Sequence, residues 1–331
     1  RMIPVCFQDA SSPRKPRNTA PPEVLELYKE RMIQRNLNTL AVEILHQLLE
    51  QRAAVNSGSA PALHVLVDGS FTNKNVLRHL PENTTLIGRI RKDAKLSAKP
   101  DTQPARGRRR FYGADLPTPE EIRQDPNIPW ITVRARASGK WRDFQVKTLS
   151  LVRWRAAGEL DLRLVVIRPV GYRLRKGARR LYTKPAYLIC TDPKLSLEDL
   201  LQEYIWRWDI EVNHRDEKTI LGVGQAQVRN PHSVENVPAM AVAAYAMLQL
   251  AAIKAYGPGG KPAVIPEAKW RKPGKKKRPS TQDLVNELRR ELWAQAIRPE
   301  ILSDFMNTAH GHSKPTKFQP SLCSSLFAAT A

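Results

Sequence analysis

The sequence predicts an α/β fold in which helices flank a mixed β-sheet. Residues 63–67 form an apolar, β-branched run that ends at Asp68, a pattern typical of a buried strand. Further strand-like runs lie between about residues 130 and 190. Apolar residues at helical spacing lie on both sides of these runs, at about 22–55 and 196–256. Strands enclosed by helices in this way indicate an α/β domain.

The first ninety residues predict the start of this sheet and a long helix. Ser, Pro and basic residues between Ser11 and Pro22 predict a loop after the first strand. In chain order, we expect a strand over Met2–Gln8, a helix over Pro22–Val55, a strand over Leu63–Val67, a short helix over Lys74–Leu80 and a strand over Thr85–Ile90.

The composition changes at Arg91. Residues 91–110 carry eight Lys and Arg residues among few apolar ones, which predicts a solvated, mobile basic segment. Beyond Pro129 we expect strands over Trp130–Ala135, Trp141–Leu149, Leu160–Pro169 and Ala186–Cys190, with a basic hairpin tip at Arg173–Arg180. Residues 91–185 are therefore predicted to form a β-rich insertion in a core made of residues 1–90 and 186–256.

Helices are predicted after residue 195. Ser196 and Asp199 have the spacing of a helix start, which predicts a helix to about Ile220. Further helices are expected over Val237–Tyr256 and Gln282–Ala296. The Pro, Gly and Lys between them, including Lys275–Arg278, predict a linker, so residues 257–331 comprise a basic linker, a helix and an irregular tail.

The net charge narrows the class of partner. The chain carries 54 Lys+Arg against 32 Asp+Glu, a formal charge of +22, which favours a polyanion such as nucleic acid. Its 3 cysteines lack metal-ligand spacing and form no disulfide framework, which indicates the cytoplasm. The apolar run Ala239–Ile253 is shorter than the roughly 20 residues that span a bilayer, so we expect a buried core helix and no membrane.

Four polar residues of the 196–220 helix carry the main functional signal. They are Tyr204, Arg207, Glu211 and Lys218. Their offsets of 3, 4 and 7 residues would place them within an arc of roughly 60° on one continuous helix. The stripe expected to face the core is Leu201, Ile205, Trp208 and Val212. One edge of the helix is thus predicted to present a single acid among groups that suit phosphate.

Glu211 suits a metal ligand better than a general base. Flanking positive charge favours the ionised form of a carboxylate, and hard cations prefer ionised oxygen ligands. Arg and Lys side chains beside it are suited to hold a phosphodiester.

The spacing Tyr-x2-Arg-x3-Glu-x6-Lys resembles the Tyr-Arg-Glu-Lys signature of bacterial insertion-sequence transposases of the DDE type. A second block is also similar, because members of that family carry an Asp at the tip of a buried strand, followed by a small residue and an aromatic. This chain has Asp68-Gly-Ser-Phe71 at that place. The family also has a β-rich insertion before the helix that bears the Glu, where residues 91–185 lie. The resemblance covers about residues 1–256.

This resemblance implies an RNase H-like catalytic domain that cleaves transposon ends and joins them to target DNA. Asp68 and Glu211 would be catalytic carboxylates that hold two Mg²⁺ (or Mn²⁺) ions. Tyr204, Arg207 and Lys218 would bind DNA phosphates. The implied partners are double-stranded DNA and a second copy of the chain, because two ends are paired. The implied location is the bacterial cytoplasm, at the nucleoid.

Two further expectations come from the resemblance. Some relatives stack an extruded base on a Trp of the insertion, for which the candidates are Trp130, Trp141 and Trp154. The family also needs a first Asp on an earlier strand, and Asp9 is a poor candidate because a loop follows it. We therefore expect that Asp upstream of Arg1, so that the chain is an N-terminally truncated transposase and residues 1–331 alone are inactive.

Simpler interpretations stay open beside this one. Asp68 alone is also compatible with a turn or a helix cap, and Glu211 with an ordinary surface position. His214 is expected to be exposed or structural, and His310-Gly-His312 to belong to the tail. A non-catalytic or decayed, transposase-derived DNA-binding protein explains the charge equally well. A basic RNA-binding scaffold is a third possibility.

Overall fold

The computed structural model describes residues 3, 13–55, 62–102, 106–107, 109–258 and 279–296. Four predicted features lie outside these residues: the Met2–Gln8 strand, Asp9, the Lys275–Arg278 run and the tail with its two histidines. The chain divides into two compact units, of which the first comprises residues 8–208 and the second begins at Asp209.

The described residues of the first unit contain both helices and strands. The helices are α1 (Pro22–Gln34), α2 (Leu37–Val55), α3 (Lys74–Leu77), α4 (Pro119–Gln124) and α5 (Leu197–Trp206). The strands are β1 (Leu63–Val67), β2 (Thr84–Arg89), β3 (Leu96–Ala98), β4 (Asp115–Leu116), β5 (Ile131–Ala137), β6 (Lys140–Trp154), β7 (Leu162–Ile167), β8 (Gly171–Tyr172), β9 (Leu181–Tyr182) and β10 (Ala186–Cys190). The second unit contributes α6 (Asp209–Thr219), α7 (Pro231–Tyr256) and α8 (Thr281–Ala296).

An 8-stranded mixed sheet forms the centre of the first unit. Its strand order is β1-β2-β10-β7-β6-β3-β4, and β5 pairs with β6 beside this path. The strands β8 and β9 pair only with each other, as a separate 2-stranded ribbon. Helices flank the sheet, so the predicted α/β fold with a mixed sheet is confirmed.

Strands β1 and β2 run parallel, whereas the other pairings among the described strands are antiparallel. A parallel pair needs a crossover connection, which the segment containing α3 provides. In the register of this pair, Val67 lies opposite Gly88. The carboxyl ends of β1 and β2 therefore lie at the same edge of the sheet.

Strands of residues 91–185 continue this sheet. Strand β6 pairs with β7, β7 with β10, and β10 with β2. Residues expected as the insertion and residues expected as the core thus share one hydrogen-bonded sheet. The prediction of a mobile segment is wrong for residues 94–98, because Ala94 and Leu96 are buried and β3 pairs with β6. Buried apolar residues alternate there with Lys95, which is the period of two of a strand. This alternation was not evident from the number of basic residues in the segment.

Two apolar clusters cover the opposite faces of the sheet. Along β7, Leu164 and Val166 belong to the cluster that packs on α3 and α4, whereas Val165 belongs to the cluster that packs on α5. This alternation is the pattern of a strand that is buried on both faces. Cys190 of β10 is buried in the second cluster, and burial raises the pKa of its thiol to about 11.

Lys147 of β6 is 1% exposed and stabilises the end of α4. Its Nζ donates hydrogen bonds to the carbonyl oxygens of Ile122, Arg123 and Asp125, at 3.1, 3.1 and 2.6 Å. It also lies 4.7 Å from the centroid of the Trp130 ring. The last carbonyl groups of a helix lack partners within the helix, so the buried ammonium satisfies them.

The helix predicted over Pro22–Val55 is two helices, and the prediction of one is wrong. The Asn36 side chain accepts a hydrogen bond from the Asn38 N–H at 2.9 Å, and its carbonyl accepts one from the Leu40 N–H. Asn36 therefore caps the start of α2. Asn favours such caps over helix interiors, a local preference that apolar spacing does not reveal.

Polar contacts join the three helices of the second unit. The Tyr245 hydroxyl of α7 donates to Asn213 Oδ1 of α6 at 3.1 Å. The Thr281 hydroxyl of α8 donates to Asp216 Oδ2 of α6 at 2.7 Å. All four side chains are buried. A small apolar cluster of Leu248, Ala251 and Leu284 packs α7 against α8.

Helix α7 is longer than the apolar run that predicted it. It begins after Asn230, whose side chain accepts a hydrogen bond from the His232 N–H at 2.9 Å, with Pro231 in the first turn. It was expected to be a buried core helix, but only 22% of its most apolar window is buried, and Met240 and Leu250 are exposed. By length and composition alone, α7 is long enough to cross a membrane. The absence of a membrane partner stays a prediction.

Candidate functional site

Asp68 lies directly after β1, at the carboxyl end of the parallel pair. Its Oδ1 accepts hydrogen bonds from the Ser70 N–H at 2.9 Å and from the Ser70 hydroxyl at 2.5 Å. Its backbone carbonyl accepts one from the Thr72 hydroxyl at 2.8 Å. Asp68 therefore closes a turn, as the simpler interpretation allows, while its carboxylate stays exposed.

Helix α3 is capped by Asn73, so the alternative of Asp68 as a helix cap is wrong. The Asn73 side-chain oxygen accepts hydrogen bonds from the N–H groups of Asn75 at 2.9 Å and Val76 at 3.3 Å. Its amide donates to the Ser70 carbonyl at 2.6 Å. The Asp68 carboxylate is thus free of the helix and available to a ligand.

The path of the loop between β1 and α3 depends on Gly88, a residue that was not predicted to matter for the site. Gly88 lies opposite Val67 in the β1–β2 ladder. A Cβ at Gly88 would collide with the Thr72 hydroxyl and would lie 2.8 Å from Val67 Cγ2. A glycine inside a buried strand often marks such a close approach, and this signal was present in the sequence.

The Asp68 carboxyl is held in its ionised form. The hydrogen bond from the Ser70 hydroxyl lowers the pKa of Asp68, and partial burial opposes it. The N–H groups of Ser70 and Phe71 and the charge of Arg207 lower the pKa further. An ionised oxygen ligand at the carboxyl end of parallel strands lies where α/β folds commonly bind ligands.

Helix α5 places Tyr204 and Arg207 in the same unit as Asp68. Tyr204 packs against the apolar cluster of its sheet face. The Arg207 guanidinium carbon lies 5.8 Å from the centroid of the Tyr204 ring. Its Nε is shielded from solvent, and no residue in the described part of the chain accepts a hydrogen bond from it. The positive charge of a guanidinium suits an anion such as a phosphate.

A histidine–carboxylate pair fixes α5 to the strand that bears Asp68. His64 Nδ1 of β1 lies 2.8 and 2.9 Å from the two carboxylate oxygens of Glu203. The two residues are 139 positions apart, and no pattern in one sequence connects them. The pair could therefore not be predicted from the sequence.

The helix predicted over residues 196–220 begins as expected. The Ser196 hydroxyl oxygen accepts a hydrogen bond from the Asp199 N–H at 3.0 Å and donates to the Asp199 carboxylate at 2.7 Å. The helix ends at Trp206, where the Arg207 N–H bonds to the Glu203 carbonyl at 3.2 Å. A new helix, α6, begins at Asp209, so the prediction of one continuous helix is wrong.

This break separates the four signature residues. Tyr204 and Arg207 belong to the first unit, whereas Glu211 and Lys218 belong to the second. The arc of roughly 60° assumed one helix and does not describe them. Trp208 was expected to face the core but is 63% exposed. The buried stripe of α5 continues only through Leu201 and Ile205.

Helix α6 exposes Glu211 and Lys218 and buries polar residues instead of apolar ones. Among the described residues, no side chain bonds to Glu211, which lies in the first turn. The buried side chains of α6 are Asn213, Asp216 and Glu217. His214 is exposed, as expected, with Nδ1 3.4 Å from Glu217 Oε2. The burial of Asp216 was missed because its partner Thr281 comes from a helix that is distant in sequence.

The residues present fit part of a site for a hard divalent cation. Mg²⁺ is commonly bound by one or two carboxylates together with water and substrate phosphates. Asp68 meets this requirement, because it is exposed and its pKa is lowered. Glu211 is an exposed carboxylate without a competing partner in the described ranges. Within those ranges, however, no three His, Cys, Asp or Glu side chains come together as a metal site.

The three tryptophans expected as stacking candidates differ in exposure. Trp130 and Trp154 pack against the apolar cluster that covers α3 and α4. Trp141, on β6, is 61% exposed, with the Arg134 guanidinium 5.6 Å from its ring centroid. Of the three, Trp141 has the most exposed ring.

The chain matches no known protein-family model, and no curated protein matches it either. Because one fold supports many functions, a function for this chain must be argued from the site itself.

Proposed function

We propose that the chain is the catalytic region of a DNA transposase, which cleaves transposon ends and transfers them to target DNA in a metal-dependent reaction. The observation that carries the proposal is the arrangement of Asp68, Tyr204 and Arg207 in the first unit. An ionised carboxylate follows a parallel strand, and the charge of the Arg207 guanidinium acts on it. This combination suits a phosphodiester beside a divalent cation.

The Tyr-Arg-Glu-Lys spacing adds Glu211 and Lys218 to this proposal. Asp68 and Glu211 would provide carboxylate oxygens for two Mg²⁺ or Mn²⁺ ions. Such ions, if bound there, would supply activation of a water or a DNA 3′-hydroxyl and stabilisation of the leaving oxygen of an in-line displacement. Arg207 and Lys218 would bind phosphate oxygens, and the Tyr204 hydroxyl would donate a hydrogen bond to a phosphate.

An RNase H-like arrangement of the mixed sheet belongs to the same proposal. It is supported by the position of Asp68 at the end of a strand whose parallel neighbour follows it in the chain. The partners would be double-stranded DNA, as transposon end and as target, and a second copy of the chain. The charge of +22 supports a polyanionic partner. The reaction would take place in the bacterial cytoplasm, at the nucleoid.

A strand-transfer assay in Mg²⁺ tests this function. It uses the full product of the gene. We expect Asp68→Asn and Glu211→Gln each to slow end joining by roughly 10³-fold, the loss of about 4 kcal/mol of transition-state stabilisation.

Matched controls are exposed acids of the same two units. Asp115→Asn in the first unit and Glu235→Gln in the second should join ends at the parental rate. DNA binding in EDTA should stay the same in all four variants, because the carboxylates are not needed to hold phosphates. If the Glu211→Gln protein joined ends as well as the parent, the proposed function would be wrong.

A second candidate function rests on the charge alone. A non-catalytic DNA-binding protein, derived from such an enzyme, needs the +22 charge but neither carboxylate. It predicts DNA binding with no Mg²⁺-dependent nicking by the full gene product. Nicking that depends on Asp68 would exclude it.

A further inference from the structure

A basic two-stranded ribbon extends from the main sheet between β7 and β10. It comprises residues 171–182, in which Gly171 pairs with Tyr182 and Tyr172 with Leu181. At its base, the Thr183 N–H donates to the Val170 carbonyl at 3.0 Å, and the Val170 N–H donates to the Thr183 hydroxyl at 2.9 Å. Because β7 and β10 are antiparallel neighbours, the basic ribbon is the far end of their hairpin. Its base is therefore fixed to the sheet.

The charge of the basic ribbon is not neutralised by the protein. Its basic side chains are Arg173, Arg175, Lys176, Arg179 and Arg180, and all of them are exposed. The sequence contains no acidic residue between Asp161 and Asp192. In the described part of the chain, none of the five forms an ion pair. Five like charges on one hairpin repel one another, which favours a polyanionic partner.

Other basic residues of the first unit behave differently. Arg91 pairs with Asp93 at 2.8 Å, and both Lys99 and Arg153 pair with Asp161 at 2.8 Å. These three residues have acidic partners nearby, which the five basic residues of the ribbon lack among the described residues.

Aromatic and apolar side chains accompany these charges. The Arg180 guanidinium crosses Gly171, where a Cβ would collide with it, and lies 5.5 Å from the Tyr182 ring centroid. Tyr182 is 61% exposed and Leu174, near the tip, is 77% exposed. Exposed side chains of this kind do not increase solubility, so solubility alone does not explain the composition of the hairpin. Phosphates, sugars and bases offer contacts to both kinds of group.

We propose that the basic ribbon is a binding arm for double-stranded DNA. The major groove of B-form DNA, about 12 Å wide, admits a two-stranded ribbon, whereas the major groove of A-form RNA is too narrow for side chains to enter. The choice of DNA as the partner rests on the proposed function. The arm itself is independent of the carboxylates, because none of its residues belongs to the Asp68 site.

Anisotropy of a labelled, random-sequence DNA duplex measures this binding, in EDTA and over a range of salt concentrations. We expect Arg173→Gln/Arg175→Gln/Lys176→Gln to weaken binding by roughly 10- to 100-fold and to reduce the slope of log K against log[salt] by about 2.7. The single change Arg175→Gln should reduce the slope by about 0.9. Arg173→Lys/Arg175→Lys keeps the charge and should keep the slope.

The matched control is Arg14→Gln/Lys15→Gln/Arg17→Gln, which removes the same two Arg and one Lys from an exposed loop of the same unit. Equal losses in the control and the ribbon variant would overturn the proposal, because net charge alone would then explain binding. Equal competition by an RNA duplex would also overturn it. Since the assay contains no metal, a negative result here would not affect the conclusion of the joining assay. A negative result in the joining assay would likewise not refute DNA binding by the basic ribbon.

Discussion

The side chain of Thr72 occupies the space above Gly88 that a Cβ at that position would need. Thr72 is buried, and its hydroxyl donates to the Asp68 carbonyl at 2.8 Å. The absence of one side chain on β2 therefore determines where the loop after β1 can lie. The position of the Asp68 carboxylate follows from a glycine on the neighbouring strand.

Substitution of this glycine tests that dependence. Gly88→Ala should lower the free energy of unfolding by about 1–3 kcal/mol, because Thr72 and Val67 must both move. Gly69→Ala is the control in the same loop, since a Cβ there would meet only the Arg89 carbonyl oxygen at 3.8 Å. Urea denaturation of both variants measures the difference. Equal stability of the two would show that the loop is not constrained by Gly88.

The pKa of Asp68 should respond to its neighbours in a definite order. The Ser70 hydroxyl makes the largest contribution to lowering this pKa, and Arg207 makes a smaller one. Ser70→Ala should therefore raise the pKa of Asp68 more than Arg207→Gln does. Carboxyl ¹³C titration by NMR measures both shifts. A larger effect of Arg207→Gln would contradict this order.

Glu120 should make the first unit sensitive to acid. Hydrogen bonds from Arg123, and then from Tyr187 and Gln124, lower the pKa of Glu120 from 4.5 to about 2. Because the pKa is lower in the folded state, the stabilisation is complete above 4.5 and is lost as the pH falls towards about 2.

Comparison with Glu120→Gln isolates this contribution. Parent and variant should differ in unfolding free energy by about 1–2 kcal/mol near neutral pH, and the difference should shrink in the acid range. Urea denaturation as a function of pH provides the two curves. Curves that stay parallel to the most acidic pH would contradict the assignment.

Lys147 should be one of the most sensitive positions of the sheet. Lys147→Met keeps the length of the side chain but leaves three carbonyl groups at the end of α4 without their donor. We expect a loss of about 2–4 kcal/mol of stability, as for other buried polar groups that lose their partner. Lys140→Met on the same strand is exposed and should change stability by less than about 0.5 kcal/mol. Similar losses in the two variants would refute a capping role for Lys147.

Strong local periodicity made most of the first unit predictable. The β1 strand and its terminal Asp68, and the β10 strand over Ala186–Cys190, have the bounds that their apolar runs indicate. The Ser196 cap was also evident, because its hydrogen bonds are made within four residues. These features depend only on neighbours in the chain.

Most of the errors have a different cause, since they depend on contacts distant in sequence or on a single capping residue. The break after Trp206 lies inside an unbroken helical pattern, and the boundary between the two units falls there. The pair of His64 with Glu203 and the buried Asp216 depend on residues brought together only by folding. The types of the candidate residues were therefore predictable, but their assignment to two different units was not.

The burial of Cys190 makes its thiol a reporter of local opening of the sheet. Its thiol has no exposed surface, and with a pKa of about 11 it forms little reactive thiolate at neutral pH. Alkylation of this sulfur must therefore wait until β10 separates from β2 or β7. In a protein whose Cys6 and Cys323 are replaced, the rate of thiol modification would measure how often the sheet opens around β10. Comparing that rate with and without bound DNA would show how much DNA slows the opening of the sheet.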